Sequence, residues 1–233
     1  MNDTWLVAIA VNSGCRRLFS GGKIDGHALH RDLMRLAPAG LGDEARREAG
    51  LLYRVEQVGA PRQGLRILAQ LALEPDVHAL APEFAAQAQQ RRLNPLLGRL
   101  TTGARVRYRI DANATKRHGN AAEPHKRGKL ANLHGTEAEL WWLRKSTEVG
   151  LHPLQLTSTP QPDVLGRASK RNKDKKPGGE ETSCTAVHGV TRFEGIGVVT
   201  DPDRLRAAVN VGIGRARNYG CGLLSLALTE EAP

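Results

Sequence analysis

A glycine-rich segment near the C-terminal end constrains most strongly what this chain can fold into. It reads GIGRARNYGCG over residues 212–222, and four glycines in eleven positions exclude a regular helix or strand. Because glycine reaches positive φ angles and lets another backbone approach closely, such a loop can point successive N–H groups at an anion. Arg215 and Arg217 add positive charge at the same place. The segment therefore predicts either a loop that faces an anionic partner or a plain connection between two elements.

Two familiar phosphate-binding loops do not fit this segment. The dinucleotide-binding fingerprint needs G-x-G-x-x-G after a strand, and the Walker loop ends in Gly-Lys-Ser or Gly-Lys-Thr. Here the gap from Gly214 to Gly220 is too long, and neither Lys-Ser nor Lys-Thr follows. The preceding residues predict a helix, because Asp201-Pro202 supplies an N-cap and a proline at the first helical position. The apolar residues 223–228 predict a strand after the loop.

The charge of the chain indicates a polyanionic partner. Its 233 residues carry a formal net charge of +10, and the isoelectric point is near 10.0. Such a balance favours nucleic acid or an acidic membrane surface. The membrane is the weaker alternative, since no apolar run approaches the length of a spanning helix and the first residues lack the charged region of a secretory signal. We therefore expect a cytoplasmic protein.

Metal and disulfide chemistry have little support in the sequence. The three cysteines, Cys15, Cys184 and Cys221, are an odd number without the spacing of metal ligands. The histidines between residues 118 and 134 lie in a polar segment without cysteine partners. We therefore expect neither a metal ion nor another cofactor.

Apolar periodicity predicts alternating strands and helices in the first half of the chain. The predicted strands are 5–11, 51–58 and 64–73, and the predicted helical segments are 25–37 and 77–80. Residues 13–23 are rich in glycine and arginine and predict a loop. Alanine and glutamine dominate residues 84–90, which by propensity favours a helix. Residues 94–98 read as a linker.

The first predicted helix has two distinct faces. Leu29, Leu33 and Leu36 recur at i, i+4 and i+7 and form the stripe that we expect to be buried. His27 and His30 lie three residues apart on a second stripe, so both imidazoles face one surface away from the core. A single histidine beside an apolar face is usually only packing, whereas two on one ridge of a basic protein are candidates for proton transfer.

The second half repeats the order of strands and helices with basic insertions. Residues 104–112 alternate as a strand with one arginine face, and a polar basic loop follows over 116–129. A helix is predicted from Thr136 to Gly150. A long hairpin follows between residues 154 and 199, and its tip is rich in lysine; alone, such a tip is most often a solvated loop.

A resemblance to a known family now becomes visible. The segment GIGRARNYGCGLLSLAL resembles the glycine-rich loop of the Cas6 superfamily of CRISPR RNA-processing endoribonucleases, most of all its CasE (Cse3) group, with the pattern G-h-G-P-x-K-x-h-G-x-G-L-L-S. Arg215 stands where that family usually has proline, and Arg217 where it has lysine. Further similar stretches occur in the family's order at residues 25–31, 107–113 and 192–195.

The resemblance implies an α+β fold of two tandem ferredoxin-like (RRM-like) βαββαβ domains. The first would span residues 1–92 and carry the catalytic helix, and the second would span 99–233 and carry the basic hairpin and the glycine-rich loop. This pattern requires a fourth strand at residues 84–90, against the helical propensity of that segment.

The resemblance also implies metal-independent cleavage of precursor CRISPR RNA beside the repeat stem-loop. The family's catalytic histidine in the motif D/N-P-Y-x-h-H aligns with His30, and His27 occupies the position of the tyrosine. Attack by a ribose 2′-hydroxyl would leave a 2′,3′-cyclic phosphate and a 5′-hydroxyl. The implied partners are the repeat hairpin, the mature CRISPR RNA and the other Cascade subunits, to which the protein would stay bound.

The predicted RNA-binding residues belong to the arginine-faced strand, the basic loop, the basic hairpin and the glycine-rich loop. They are Arg107, Arg109, Lys116, Arg117, Arg167, Lys170, Arg171, Lys173, Lys175, Lys176, Gly212, Gly214, Arg215, Arg217, Gly220 and Gly222. Only 4% of the residues are aromatic, which argues against stacking of splayed bases and favours recognition of a folded stem by shape and phosphate charge.

Two other functions remain open from the sequence. The chain could be a catalytically silent subunit that anchors a structured RNA in a ribonucleoprotein. It could also be a basic DNA-binding subunit, although it has neither a helix-turn-helix nor a basic-zipper signature.

The lysine-rich tip yields a first prediction. Neutralising Lys170, Arg171, Lys173, Lys175 and Lys176 together should weaken RNA binding and flatten the dependence of log K on log salt by roughly 0.7–0.9 per lost phosphate contact. Titrations of a repeat hairpin at several salt concentrations measure this slope. An unchanged slope in the fivefold variant would remove the tip from the interface.

Overall fold

The chain folds around two β-sheets, one formed in its first half and one formed mainly in its second. The computed structural model describes residues 3–13, 15, 18–20, 23–42, 45–57, 64–119, 123, 125, 127–168 and 184–229. None of the helices in these ranges is both long and apolar enough to cross a membrane.

The strands and helices are numbered in chain order. The strands are β1 (Trp5–Val11), β2 (Phe19–Ser20), β3 (Lys23–Asp25), β4 (Leu52–Gln57), β5 (Leu65–Leu71), β6 (Ala85–Arg92), β7 (Arg105–Ala112), β8 (Thr115–Arg117), β9 (Leu130–Asn132), β10 (Leu151–Pro153), β11 (Thr157–Ala168), β12 (Cys184–Val199) and β13 (Ser225–Leu228). The helices are α1 (Gly26–Leu33), α2 (Ala45–Ala49), α3 (Asn94–Gly98), α4 (Gly135–Glu148) and α5 (Pro202–Val211). Short 3-10 turns span Met34–Leu36, Val77–Ala79 and Arg217–Tyr219.

The first sheet is antiparallel and has the strand order β4-β5-β1-β6. This is the strand order of a ferredoxin-like unit whose four strands follow one another along the chain as β1, β4, β5 and β6. Helix α1 lies between β1 and β4 in the sequence. The leucine stripe of α1 is confirmed, since Leu29, Leu33 and Leu36 are at most 1% exposed and pack in the core of this sheet. Between β5 and β6 the described chain forms only the 3-10 turn Val77–Ala79, where the family pattern places a second helix.

Residues 85–92 form a strand, as the resemblance implied and against their propensity. Strand β6 pairs with β1 over most of its length, for example Val7 with Gln90 and Ile9 with Ala88. The side chains of Ala85 and Ala88 pack on the core, while the glutamines around them are exposed. Pairing with a buried central strand therefore outweighs the helical propensity of alanine and glutamine.

The second sheet has the order β13-β7-β12-β11, with β10 also paired to β12. This again matches a ferredoxin-like unit, so the predicted fold class is confirmed. Helices α4 and α5 contribute to its core, in which the Trp142 and Phe193 rings stack with centroids 5.7 Å apart. Helix α4 begins at Gly135 rather than being capped by Thr136. Residues 94–98, predicted as a linker, form the short helix α3.

Two strands from the first half extend the second sheet. Strand β3 pairs parallel to β11, and β2 pairs with β3. The prediction of a loop over residues 13–23 was therefore wrong at β2 and at Lys23. These strands satisfy their backbone groups on an edge contributed by the other half of the chain, which local sequence patterns do not reveal.

Arg54 joins the two sheets through a buried guanidinium. Its side chain on β4 is 2% exposed, and it donates to Glu56 Oε1 at 2.9 and 3.1 Å. It also donates to the carbonyl oxygens of Arg109 and Leu223 and to the Ser225 hydroxyl. Burial lowers the pKa of Arg54. Burial would raise the pKa of Glu56, but the charges of Arg54 and Arg109 outweigh it and hold that pKa below its usual value.

The buried ion pair predicts a specific pattern of stability. Arg54→Ala should lower the free energy of unfolding by roughly 3–5 kcal/mol, because two carbonyl oxygens lose the guanidinium as a donor and the Glu56 carboxylate keeps only its longer contact of 3.5 Å with Arg109 among the ion pairs of the described residues. Urea denaturation measures this, with the exposed Arg35→Ala as a control expected to change the value by about 0.5 kcal/mol or less.

A double variant separates the charge from the packing. Replacing Arg54 with methionine and Glu56 with leucine removes both charges, so it should be more stable than Arg54→Ala alone. A double variant as unstable as the single one would contradict this account of the pair.

Candidate active site

Helix α1 presents its two histidines beside the second sheet. The predicted N-cap is confirmed, because the Asp25 carboxylate accepts hydrogen bonds from the N–H groups of His27 and Ala28, each at 3.0 Å. His27 and His30 are half-buried, and Nδ1 of His30 lies inside the protein. The imidazoles are thus held at the edge of the core, whereas the sequence placed them on an open surface.

The glycine-rich segment is an ordered loop between α5 and β13. Gly212, Gly214, Gly220 and Gly222 all have φ between +80° and +89°, and Ala216 also has a positive φ of 55°. Only glycine adopts the first range without strain, so these positions fix the path of the loop.

The N–H groups of this loop bond mostly within the protein. The Gly222 N–H donates to the Asp111 carbonyl oxygen at 2.7 Å, and the Ile213 N–H donates to the Gly222 carbonyl oxygen at 3.0 Å. The Tyr219 N–H donates to the Ala216 carbonyl oxygen at 2.8 Å. The loop therefore uses these donors for its own shape, and its positive charge comes from its arginine side chains.

Tyr53 fastens this loop to helix α1. Its hydroxyl donates towards the carbonyl oxygens of Gly26 and Asn218, each 3.0 Å away, and its side chain is fully buried. Burial raises the pKa of Tyr53 well above its usual value, so the hydroxyl remains a donor at any physiological pH. The first turn of α1 and the 3-10 turn Arg217–Tyr219 are consequently held on the same side chain.

The two loop arginines differ in their surroundings. Arg215 is exposed, and its backbone forms an isolated bridge with Asn113. Arg217 is also exposed, but its Nη1 donates to the Val211 carbonyl oxygen at 2.8 Å. Its aliphatic part packs over Gly212 and Gly222. Arg217 therefore also supports the loop itself.

The hairpin of β8 and β9 lies beside the loop. Its exposed cations Lys116 and Arg117 reach Glu137 and the Gly128 carbonyl oxygen, respectively. At its base, the Asn113 amide donates to the Gly189 carbonyl oxygen on β12 at 2.7 Å. This hairpin and the loop thus form neighbouring basic surfaces.

Arg107 and Arg109 lie away from helix α1 and its histidines. They line a cavity of about 560 Å³ between the two sheets, together with Arg54 and Glu56. Arg109 is paired with Glu194 at 2.6 Å and with Glu56 at 3.5 Å. Because neighbouring residues of a strand point to opposite faces, the Arg54 side of β4 is turned away from the Tyr53 side that holds α1. The structure therefore does not bring Arg107 and Arg109 to the histidines.

The long hairpin of β11 and β12 passes α1 towards the tip-side end of β11. Leu165 on β11 pairs with Asp25, the residue that caps the helix. Arg167 lies on β11 opposite Thr185, but its side chain is outside the description. The remaining predicted residues of the tip also lie outside the described residues: Lys170, Arg171, Lys173, Lys175 and Lys176.

Sequence reasoning missed three side chains at this place. Besides Tyr53, the rings of His188 and Tyr219 stack with centroids 5.0 Å apart and planes at 18°. Burial and the charge of Arg215 lower the pKa of His188, which favours the neutral imidazole. The available signals were an aromatic residue inside the glycine-rich segment and a histidine in the middle of the strand-like stretch TAVHGVT.

Metal-binding clusters do not occur in the described ranges. No three His, Cys, Asp or Glu side chains there come together in a way that could hold a metal ion.

Comparison with known proteins relates this arrangement to one family. A family model described as CRISPR associated protein matches residues 4–227. The CRISPR-associated endoribonuclease Cse3 of Thermus thermophilus is 30% identical over 227 residues, which cover 96% of this chain and 99% of that protein. The CRISPR system Cascade subunit CasE of Escherichia coli is 27% identical over 213 residues, or 87% of this chain and 92% of that protein.

A solved structure supports the same relationship. The structure of Thermus thermophilus Cse3 bound to an RNA representing a pre-cleavage complex is similar with a TM-score of 0.70 and 25% sequence identity. The similarity covers 97% of this chain and 99% of that one. Both ferredoxin-like units therefore have counterparts in that structure.

A matched pair of glycines tests how the loop is built. Gly222 and Gly103 have φ of +89° and +87°, so alanine meets the same backbone strain at both, roughly 1–2 kcal/mol. A Cβ at Gly222 would also meet the Ile213 carbonyl oxygen at 2.7 Å, whereas nothing described lies within 4 Å of one at Gly103.

We therefore expect Gly222→Ala to lower the free energy of unfolding by about 1–3 kcal/mol more than Gly103→Ala. Urea denaturation of both variants measures the difference. Equal losses of unfolding free energy in the two variants would mean that the loop accommodates the added methyl group without strain.

Proposed function

Since this chain belongs to the CRISPR-associated protein family, we propose that it is a metal-independent endoribonuclease that binds the repeat stem-loop of precursor CRISPR RNA and cuts beside it. The observation that carries this proposal is the position of His30. It lies on a helix whose first turn is fastened to the glycine-rich loop through Tyr53 and to strand β11 of the long hairpin through β3.

The proposed reaction is an attack of the ribose 2′-oxygen on the adjacent phosphorus. The new bond joins the 2′-oxygen to phosphorus, and the bond between phosphorus and the 5′-oxygen breaks. One proton leaves the 2′-hydroxyl and one reaches the departing 5′-oxygen, which gives a 2′,3′-cyclic phosphate and a 5′-hydroxyl. Histidine suits both transfers because it exchanges protons near neutral pH.

His30 is the proposed principal proton-transfer group, and His27 assists it. The two residues are three positions apart on α1 and so share one ridge of the helix. His27 stands at the position of the family's tyrosine, where an imidazole can donate a proton or a hydrogen bond to the scissile phosphate.

Exposed cations near the helix are proposed to hold the RNA through its phosphates. Arg215 lies on the glycine-rich loop, and Lys116 and Arg117 lie on the neighbouring hairpin. Phosphate contacts of this kind set affinity and register on a folded stem. After cleavage the protein is proposed to stay on the product as a subunit of Cascade, the complex for which the Escherichia coli relative is named.

Removing the His30 imidazole tests the chemistry separately from binding. His30→Ala should slow single-turnover cleavage in excess chelator by about 10²- to 10⁴-fold, since proton transfer is lost. Affinity for a hairpin with 2′-deoxyribose at the scissile nucleotide should stay within about threefold, because phosphate contacts remain. His27→Ala should be milder.

The exposed His152→Ala on β10 is the matched control and should cut at the parental rate. Cleavage at the parental rate by His30→Ala, or any cleavage of the 2′-deoxy hairpin, would refute the mechanism. Tight hairpin binding without cleavage by the parental protein would favour the catalytically silent RNA-binding subunit.

A further inference from the structure

The Tyr219 ring occupies a space where three parts of the protein meet. Tyr219 lies in the 3-10 turn of the glycine-rich loop, and its ring stacks on His188 of β12. Below the stack, Val164, Val190 and Cys221 form a small buried cluster against which Tyr219 also packs.

Two glycines leave the room that this side chain fills. A Cβ added to Gly166 on β11 would lie 2.7 Å from Tyr219 Cε2 and 2.7 Å from His188 Nε2. One added to Gly26, the first residue of α1, would lie 2.8 Å from Val164 Cγ1 on β11 and 3.1 Å from the Cβ of Tyr219 rather than from its ring. Neither glycine has a positive φ, so close approach rather than backbone conformation requires them. The Tyr219 side chain therefore has its Cβ at the start of α1 and its ring on the part of the long hairpin that is nearer the tip.

Other connections between these parts are short. Strands β3 and β11 pair through Ile24 with Val164 and Asp25 with Leu165. This parallel pairing is short, so the packing of Tyr219, with its Cβ at Gly26 and its ring at Gly166, adds a second contact between α1 and the hairpin.

We propose that Tyr219 is a positioning residue for cleavage: its ring, stacked on His188 and packed at Gly166, fixes the long hairpin relative to the 3-10 turn that Tyr53 and the Tyr219 Cβ hold against the helix that carries His30. The inference rests on the proposed function. A substrate held by the hairpin then meets the imidazole at a set distance, and a displacement of about 1 Å at such a site lowers rates by up to about 100-fold. The proposed role belongs to the ring.

Four single variants test this inference by single-turnover cleavage at saturating repeat hairpin. Tyr219→Ala removes the ring, and Gly166→Ala displaces it with Tyr219 intact; both should cut about 10- to 100-fold more slowly. Their affinities for the 2′-deoxy hairpin should stay within about threefold of the parental value. Tyr219→Phe keeps the ring and should cut at the parental rate. Gly98→Ala, whose added Cβ meets nothing within 4 Å, is the glycine control.

The double variant Tyr219→Ala with Gly166→Ala gives an independent check. Once the ring is gone, the methyl group at position 166 has room, so the double variant should cut no more slowly than Tyr219→Ala. Thermal melting shows whether each variant is folded at the assay temperature. If Tyr219→Ala is unfolded there, the cleavage rate of Gly166→Ala tests the inference.

Parental rates in both Tyr219→Ala and Gly166→Ala would overturn the positioning role while leaving the proposed function intact. A parallel loss of affinity would overturn it too, since the side chain would then act in binding. A parental protein that does not cut the hairpin would overturn the proposed function and this inference together.

Discussion

The structure depends on strand β4, whose consecutive residues Tyr53 and Arg54 make contacts on opposite faces of the first sheet. On β4, Tyr53 reaches helix α1 and the glycine-rich loop, while Arg54 reaches β7 and β13. A buried guanidinium is tolerated only where its donors are satisfied, and here its acceptors come from both sheets. Strand β4 therefore joins the two sheets through Arg54, and through Tyr53 it holds helix α1 and the glycine-rich loop of the candidate active site.

The glycine-rich loop uses several of its N–H groups within the protein. Its composition suggests a cradle of N–H groups for an anion, yet donors such as those of Ile213 and Gly222 bond to the protein backbone. Positive φ angles serve instead to bring a 3-10 turn against the start of α1. The loop thus lies against the start of α1, and it carries positive charge on exposed side chains such as that of Arg215.

Local rules predicted much of the fold, and long-range packing accounts for the rest. Periodicity identified the buried face of α1, and residue type identified the Asp25 cap, because both depend on neighbours within a few positions. Strand β6 has alanine and glutamine that favour a helix, and only its pairing with β1 makes it a strand. The stack of His188 on Tyr219 needs two glycines from distant segments, and spacing along the sequence does not reveal such a meeting.

The start of α1 is joined to the second sheet, whereas its apolar face packs on the first. Asp25 pairs with Leu165 in the second sheet while its carboxylate caps the helix. The leucines that follow, such as Leu29 and Leu33, are buried on the first sheet. A helix with contacts to both sheets is positioned by both, so a change in the angle between the sheets acts on its first turn. The position of His30 is therefore set by the arrangement of the whole chain rather than by the helix that carries it.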